Sequence, residues 1–434
     1  MKSSDRVILH CDLNNFFASV EMILNPALIG NPVAVCGDPE ARTGIVLAKC
    51  EIAKKHGVKT GDTVWQAKQK CPGIITVIPR HSEYGRYSRL VRNIYYRYTD
   101  LVESFGIDEC WLDVTGSTKL FGDGLTIANK IRADLKRELG LTISVGVSWN
   151  KTFAKIGSDI KKPDAVTVIT RENYKDIIWN LPASDMLFVG RKSKLLFAKL
   201  NIKTIGDLAN FDAKLLAPMF GITAQRLVAC ARGEDDDKVA DYHYNREVKS
   251  VGNGTTTKRD MVNITEVEKV VYVLCEEVAY RMRRKGVKGR TISLSVRDQN
   301  LKWKGAQTSV INLTSSASTI FENAMKVFYQ LYVDKKDENK PEATTNDGFA
   351  KTPDSVTFPP VHSIRVAVSN LVFNKENVAQ QLSLFNTEEQ EVEERNDEIS
   401  KLFDKIRKKH GTSKVSFGTA LDSLMELDFE TYDE

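Results

Sequence analysis

Two adjacent carboxylates, Asp108 and Glu109, stand between two strand-like runs, V-E-S-F-G-I before them and C-W-L-D-V after them. Acids set among apolar, β-branched and aromatic neighbours need a reason, because an unpaired buried charge is costly. A divalent metal is one reason, since hard cations take oxygen ligands. A turn that simply exposes both acids to water is the other. Neighbouring strand residues point to opposite faces, but at a strand end or tight hairpin both become reachable from one side. A third acid, Asp12, closes the buried-strand pattern V-I-L-H-C-D-L at 7–13. It is either a further metal ligand or the N-cap of the helical pattern N-N-F-F-A-S-V-E-M-I-L, which stops before Asn25-Pro26. Two lysine groups could meet an anion: Lys49, Lys54, Lys55 and Lys59, and Lys151, Lys155, Lys161 and Lys162 on a short helix ending at Pro163. Each is a solvated face or a phosphate contact.

The elements that must hold these residues run in the order strand, helix, inserted unit, helix, strand, strand, helix, strand between 7 and 148. With the insert removed, that order suits a split βαβ, ferredoxin-like sheet, whose antiparallel neighbours bring Asp12 and Asp108 side by side. The insert at 33–78 contains a strand at 32–36 and the run 44–48 leading into a helix closed by Gly57. From 181 to 233 the pattern is helical. The G-R-K turn with the following L-N-I-K-T-I-G-D-L reads as a helix-hairpin-helix, a weaker copy lies in M-F-G-I-T-A-Q-R-L, and the alternative is an ordinary helical pair. Glu234–Asp237 opens a polar linker, and a new domain begins near Lys249. There Thr265 and Glu268 form a capping box for a helix through Met282. In R-T-I-S-L-S-V-R, Ile292, Leu294 and Val296 face a core, leaving hydroxyls and arginine for a phosphate backbone. A helix at 317–333 and a strand at 363–370 complete a small α+β unit. Residues 335–353 read as a loop, A-Q-Q-L-S-L-F as a docking peptide in polar surroundings, and 391–410 as a tail helix.

The totals narrow the function class. A chain of 434 residues holds several domains. No apolar run is long enough to span a membrane, and the start M-K-S-S-D-R lacks the apolar core of a signal peptide, so a cytoplasmic protein is expected. Seven cysteines without C-x-x-C exclude a disulfide framework or zinc knuckle and read as small, mostly buried hydrophobes. Net charge is +5 although 388–398 is strongly acidic, so the preceding body leans towards a polyanionic partner.

Four stretches, in order, resemble the Y-family translesion DNA polymerases, the bacterial polymerase IV and UmuC-like group. They are C-D-L-N-N-F-F-A-S-V-E at 11–21, G-I-D-E-C-W-L-D at 106–113, G-V-S-W-N-K-T-F-A-K at 146–155 and Q-L-S-L-F at 381–385. The resemblance implies an α+β multidomain chain. A ferredoxin-like palm would occupy 1–18 and 79–168, small fingers 19–78, and a helical thumb with the helix-hairpin-helix 169–240. A DNA-binding α+β little finger would occupy 247–373, and 374–434 would be a flexible tail carrying a sliding-clamp-binding peptide at 380–385.

The activity it implies is template-directed, low-fidelity DNA synthesis in damage tolerance and repair. The implied partners are primer–template DNA, deoxynucleoside triphosphates and the replicative sliding clamp, with the chain itself a monomer. Asp12, Asp108 and Glu109, assisted by the Leu13 carbonyl, would hold two magnesium ions, which clamp attacking and leaving oxygens. Phe17 would be the steric gate that excludes ribonucleotides. Phe16, Lys49, Lys54 and Lys162 would bind the nucleotide, with Lys155 a further candidate, and Gln381, Leu382, Leu384 and Phe385 would engage the clamp. The sequence departs from the family pattern in three places. Glu51 stands where many members have an aromatic residue, Gly106 replaces a common serine, and Asn14 replaces a common acid and is assigned no metal. Two rival readings are a nucleotide cyclase on a similar sheet and a catalytically silent DNA-binding protein.

Overall fold

The computed structural model describes residues 5–38, 44–244, 247–332, 358–373, 395, 398–406 and 409. The chain divides into two compact units with the boundary after Asn245.

The first unit begins with β1 (Ile8–Leu13), buried at every position, as a central strand covered on both faces must be. Helix α1 (Phe16–Leu24) follows. An insert then contributes β2 (Val33–Cys36), β3 (Val46–Lys49), α2 (Glu51–Lys55), α3 (Val64–Lys70) and β4 (Ile75–Val77). Its three strands form a separate small sheet in the order β3-β2-β4. The chain returns through α4 (His81–Tyr96), β5 (Val102–Ser104), β6 (Glu109–Asp113), α5 (Thr118–Phe121), α6 (Gly124–Leu139), β7 (Ile143–Ser148), α7 (Lys151–Ile160) and β8 (Val166–Val168). The main sheet has the order β5-β6-β1-β7-β8. β6 and β7 flank β1 antiparallel, and β8 adds in parallel beside β7. The first four strands have the ferredoxin-like arrangement that the element order predicts, with β8 as an extra edge.

Local signals account for the boundaries. Asp123 caps α6 by accepting from Thr126 N, and Gly140, at φ +67, ends it. Gly146 allows α7 to lie directly on β7: a Cβ there would come within 1.9 Å of the Ala154 carbonyl oxygen. That contact fixes the height of α7 above the sheet.

The helical part of this unit contains α8 (Tyr174–Ile178), α9 (Arg191–Lys199), α10 (Ile205–Asn210), α11 (Ala213–Phe220) and α12 (Thr223–Arg232), packed around Phe197, Ile205, Leu208, Leu216 and Val228. The acidic run expected to be a linker lies against the sheet domain. Asp235 accepts from the Thr152 amide and hydroxyl, and Ala240 N donates to Glu103.

The second unit has β9 (Ser250–Met261), α13 (Ile264–Arg284), β10 (Val287–Asp298), β11 (Trp303–Thr314), α14 (Ala317–Tyr332) and β12 (Val361–Phe373). Its antiparallel sheet runs β11-β10-β12-β9. Ile292, Leu294 and Val296 are buried in the core, as their alternation predicts. The opposite parity brings Ser293, Ser295 and Arg297 into register with Ala367, Arg365 and Ser363. The expected Thr265–Glu268 capping box is corrected: the cap of α13 is Asn263, which accepts from Glu266 N. Residues 398–406 are helical.

Cys11, Cys36, Cys50, Cys71, Cys110 and Cys275 are buried free thiols, and Cys230 is half-buried. Among the described residues no helix is long and apolar enough to cross a membrane. The peptide 380–385 lies outside the described residues.

Candidate active site

The three carboxylates meet at one end of the main sheet. β1 and β6 run antiparallel, so the last residues of one face the first residues of the other, and Asp12 pairs in register with Glu109. Leu13 N donates to the Asp108 carbonyl at 3.1 Å, tying the β5–β6 turn to β1. Gly106, at φ +90, lets that turn close. Asp12 is therefore no helix cap: the N-cap of α1 is Asn15, and it makes no side-chain cap bond.

Two ammonium groups face these acids from α7 and the loop after it. Lys155 Nζ lies 2.7 Å from Glu109 Oε1 and 3.5 Å from Asp12 Oδ2. Lys162 Nζ lies 2.7 Å from Asp12 Oδ2 and 2.8 Å from Asp159 Oδ1. Lys151, the third lysine of that group, points elsewhere and pairs with Glu103 at 2.7 Å. Burial works against a charge on Lys155, but Glu109, Asp159 and Asp12 outweigh it and hold its pKa above the ordinary value. Lys162 is raised too, Asp12 outweighing its burial.

The carboxylates respond unequally. Burial, reinforced by the charges of Asp12 and Glu109, pushes Asp108 up to about 6. Burial also pushes Glu109 upward, but its contacts with His10 and Lys155 reverse this and leave it below the usual carboxylate range. His10 belongs to the site and was not singled out in the sequence. It is fully buried on β1, with Nε2 at 3.4 Å from Glu109 Oε2 and Nδ1 at 2.9 Å from Ser158 Oγ.

The adjacent aromatic residues have different places. Phe16 is 3% exposed, and its ring belongs to the core. Phe17 is half-buried and stacks on Tyr84, with centroids 4.1 Å apart and planes 12° apart. Tyr84 is fixed in turn, donating to the fully buried Glu21 at 2.6 Å, and Arg80 Nε reaches the same carboxylate at 3.1 Å. Asn14 is committed within the fold, donating to Ser144 Oγ and accepting from Asp164 N.

On the small sheet, Lys49 donates to Thr60 Oγ1, and burial and the nearby Lys54 charge lower its pKa. Glu51 accepts from Asn15 Nδ2 at 3.1 Å and lies 3.5 Å from Lys54 Nζ, joining α2 to the start of α1.

This geometry coincides with sequence relationships. Residues 11–159 match the impB/mucB/samB family, and residues 248–384 match the C-terminal domain of that family. Over 323 residues the chain is 51% identical to DNA polymerase IV of Acetivibrio thermocellus, covering 74% of this chain and 81% of that one. It is 40% identical over 331 residues to DNA polymerase IV of Moorella thermoacetica, covering 76% and 82%. The chain belongs to the Y family of DNA polymerases. A solved Y-family polymerase chimera shares the fold, with a TM-score of 0.71 over 85% of this chain and 100% of that one at 24% identity.

Y-family membership implies a divalent metal, and the donor set fits one. Three carboxylates lie close together, and burial with the charges of Asp12 and Glu109 raises the pKa of Asp108. As they stand, Asp12 and Glu109 are turned to lysines, and no group of three His, Cys, Asp or Glu among the described residues is arranged around a common metal position.

Proposed function

We propose that the chain extends a primer 3′ end with deoxynucleotides, directed by a template, as a low-fidelity translesion DNA polymerase. The observation that carries this reading is the convergence of Asp12, Asp108 and Glu109 where β1 meets the β5–β6 turn. These side chains, with the Leu13 carbonyl, would hold two magnesium ions. Bound there, divalent ions ease ionisation of the primer hydroxyl and neutralise charge on the transferring phosphate.

The chain's own groups do the positioning. Lys162, exposed beside Asp12, exchanges its carboxylate partner for a triphosphate oxygen, and Lys49 on β3 and Lys54 on α2 approach the triphosphate from the insert. A cation there favours the charge that develops on the leaving pyrophosphate. Phe17, braced by Tyr84, stands against the sugar and rejects a 2′-hydroxyl.

The main sheet with α1, α4, α6 and α7 serves as the palm, the insert as small fingers, the helices at 174–232 as the thumb, and the second unit as the little finger. In that unit the Ser293, Ser295, Arg297 and Arg365 face suits a phosphate backbone. The peptide 380–385 docks on the sliding clamp, and the polymerase acts as a monomer.

Primer extension with and without magnesium tests the reading. Extension that needs both magnesium and a template is expected of the wild type. Asp108→Ala and Glu109→Ala should each abolish extension and leave DNA affinity nearly intact, because cationic contacts supply most of the grip. Near-normal extension by either variant refutes the metal assignment. Template-independent cyclisation of a nucleotide would favour the cyclase, and DNA binding without extension the silent protein.

A further inference from the structure

Phe188 has a backbone conformation suited to glycine and a side chain that nothing in the described chain covers. Its φ is +68, in the left-handed region that bulky residues avoid, and it is 74% exposed. The flanking residues force this arrangement. Met186 is buried and Val189 packs against the same helical core. Leu187 packs against the cluster of Ile8, Trp111, Ala154 and Val239. Val189 N closes the turn onto Met186 O at 3.2 Å. With three neighbours anchored, Phe188 is held out into solvent. A glycine would fit the turn without strain, so the ring adds conformational cost and returns little packing among the described residues.

The surroundings indicate what the ring meets. Three residues on, α9 starts with Arg191, Lys192 and Lys194 in its first turn, all exposed. None of the three has an acidic partner among the described residues. Cations in a first helical turn oppose the helix dipole, a further cost that an external anion would remove. An exposed aromatic ring beside three cations suits a polyanion that exposes apolar sugar and base edges between phosphates.

We propose that Phe188 is a DNA-contacting residue. Its ring seats against the deoxyribose and base edges of the primer–template duplex while Arg191, Lys192 and Lys194 neutralise the flanking phosphates. This rests on the reading of the helices at 174–232 as a DNA-gripping thumb, and it adds a side-chain contact to a grip otherwise made by amides and charges.

The test uses the full-length protein, a fluorescent primer–template duplex titrated by anisotropy at several salt concentrations, and thermal melting. Phe188→Gly relieves the backbone and should raise the melting temperature while weakening DNA binding about tenfold, with the salt slope unchanged because every cation is kept. Phe188→Ala keeps the strained backbone and should weaken binding similarly without the thermal gain. The triple variant R191A, K192A, K194A should weaken binding and flatten the salt slope by roughly one for each phosphate that is no longer neutralised. If Phe188→Gly melts higher and binds DNA as the wild type does while the triple variant binds weakly, the role of the ring is refuted and the thumb reading stands. If the triple variant also binds normally with an unchanged salt slope, the thumb reading itself is refuted and the role of the ring with it.

Discussion

Replacing Lys155 with methionine should tighten divalent-metal binding. Methionine keeps a flexible apolar stem and removes the ammonium that bridges Glu109 at 2.7 Å and Asp12 at 3.5 Å. Any cation that takes up these carboxylates must first displace that ammonium. A hydrogen bond to a charged group contributes about 1.5–3 kcal/mol net. Removing it should therefore lower the metal Kd roughly ten- to hundredfold. Lys155 is only 14% exposed, so salt should screen the effect weakly. The assay is titration of free manganese by electron paramagnetic resonance on the full-length protein without DNA or nucleotide, which keeps binding separate from turnover. Lys155→Gln, which keeps a donor and loses the charge, should fall between wild type and Lys155→Met. An unchanged or weaker manganese affinity in a Lys155→Met protein that melts like the wild type would refute the reasoning, because the ammonium would then not compete with the metal.

Three further outcomes are expected. Phe17→Ala should raise ribonucleotide relative to deoxynucleotide insertion roughly ten- to hundredfold, measured as the ratio of kcat/KM values; an unchanged ratio would mean that the stack on Tyr84 is only core packing. Gly146→Ala should destabilise the first unit by about 3 kcal/mol or more in urea unfolding, since the added methyl would meet the Ala154 carbonyl of α7; a loss below about 1 kcal/mol would mean that the helix shifts freely. Deleting 380–385 should leave distributive extension of short primers intact and remove stimulation by the sliding clamp, and surviving stimulation counts against the peptide.

The parts of the site legible in the sequence were those fixed by short-range pattern. Asp12 closes an apolar run and Asp108–Glu109 sits between two, so strand ends could be assigned, and antiparallel pairing then brought the acids together. Resemblance to a family converted that pattern into a metal site. What stayed hidden depended on partners far away in the chain. His10 reads as one more buried strand residue until Glu109 and Ser158, roughly a hundred or more positions away, are seen beside it. Lys155 and Lys162 read as phosphate contacts because helical spacing does not reveal the acids across from them. The run at 234–237 looks solvated, yet Asp235 holds Thr152 at the start of α7. Phe16 and Phe17 are chemically alike, and only the rotation of α1 separates the buried ring from the half-buried one. Thr265 and Asn263 both precede a glutamate at cap spacing, and the extra bond from Val262 N to Glu266 belongs to the Asn263 arrangement.

The hydrogen bonds behind Glu109 explain how α7 and β1 act as one support. Ser158 Oγ donates to the Lys155 carbonyl at 2.7 Å and lies 2.9 Å from His10 Nδ1. Burial lowers the pKa of the imidazole, and Glu109 beside it works in the other direction. Nε2 faces Glu109 Oε2 at 3.4 Å. Glu109 turns its other oxygen to Lys155 at 2.7 Å. His10 and Lys155 thereby hold Glu109 from two sides, and both favour its ionised form. Gly146 sets the spacing, because the close approach of β7 to Ala154 and Gly157 fixes the height at which Lys155 and Ser158 meet β1. Displacement of the Lys155 ammonium would leave Glu109 beside His10 with its other oxygen freed from the ion pair. The buried histidine would thus keep the carboxylate in place and ionised when a cation takes over from the lysine.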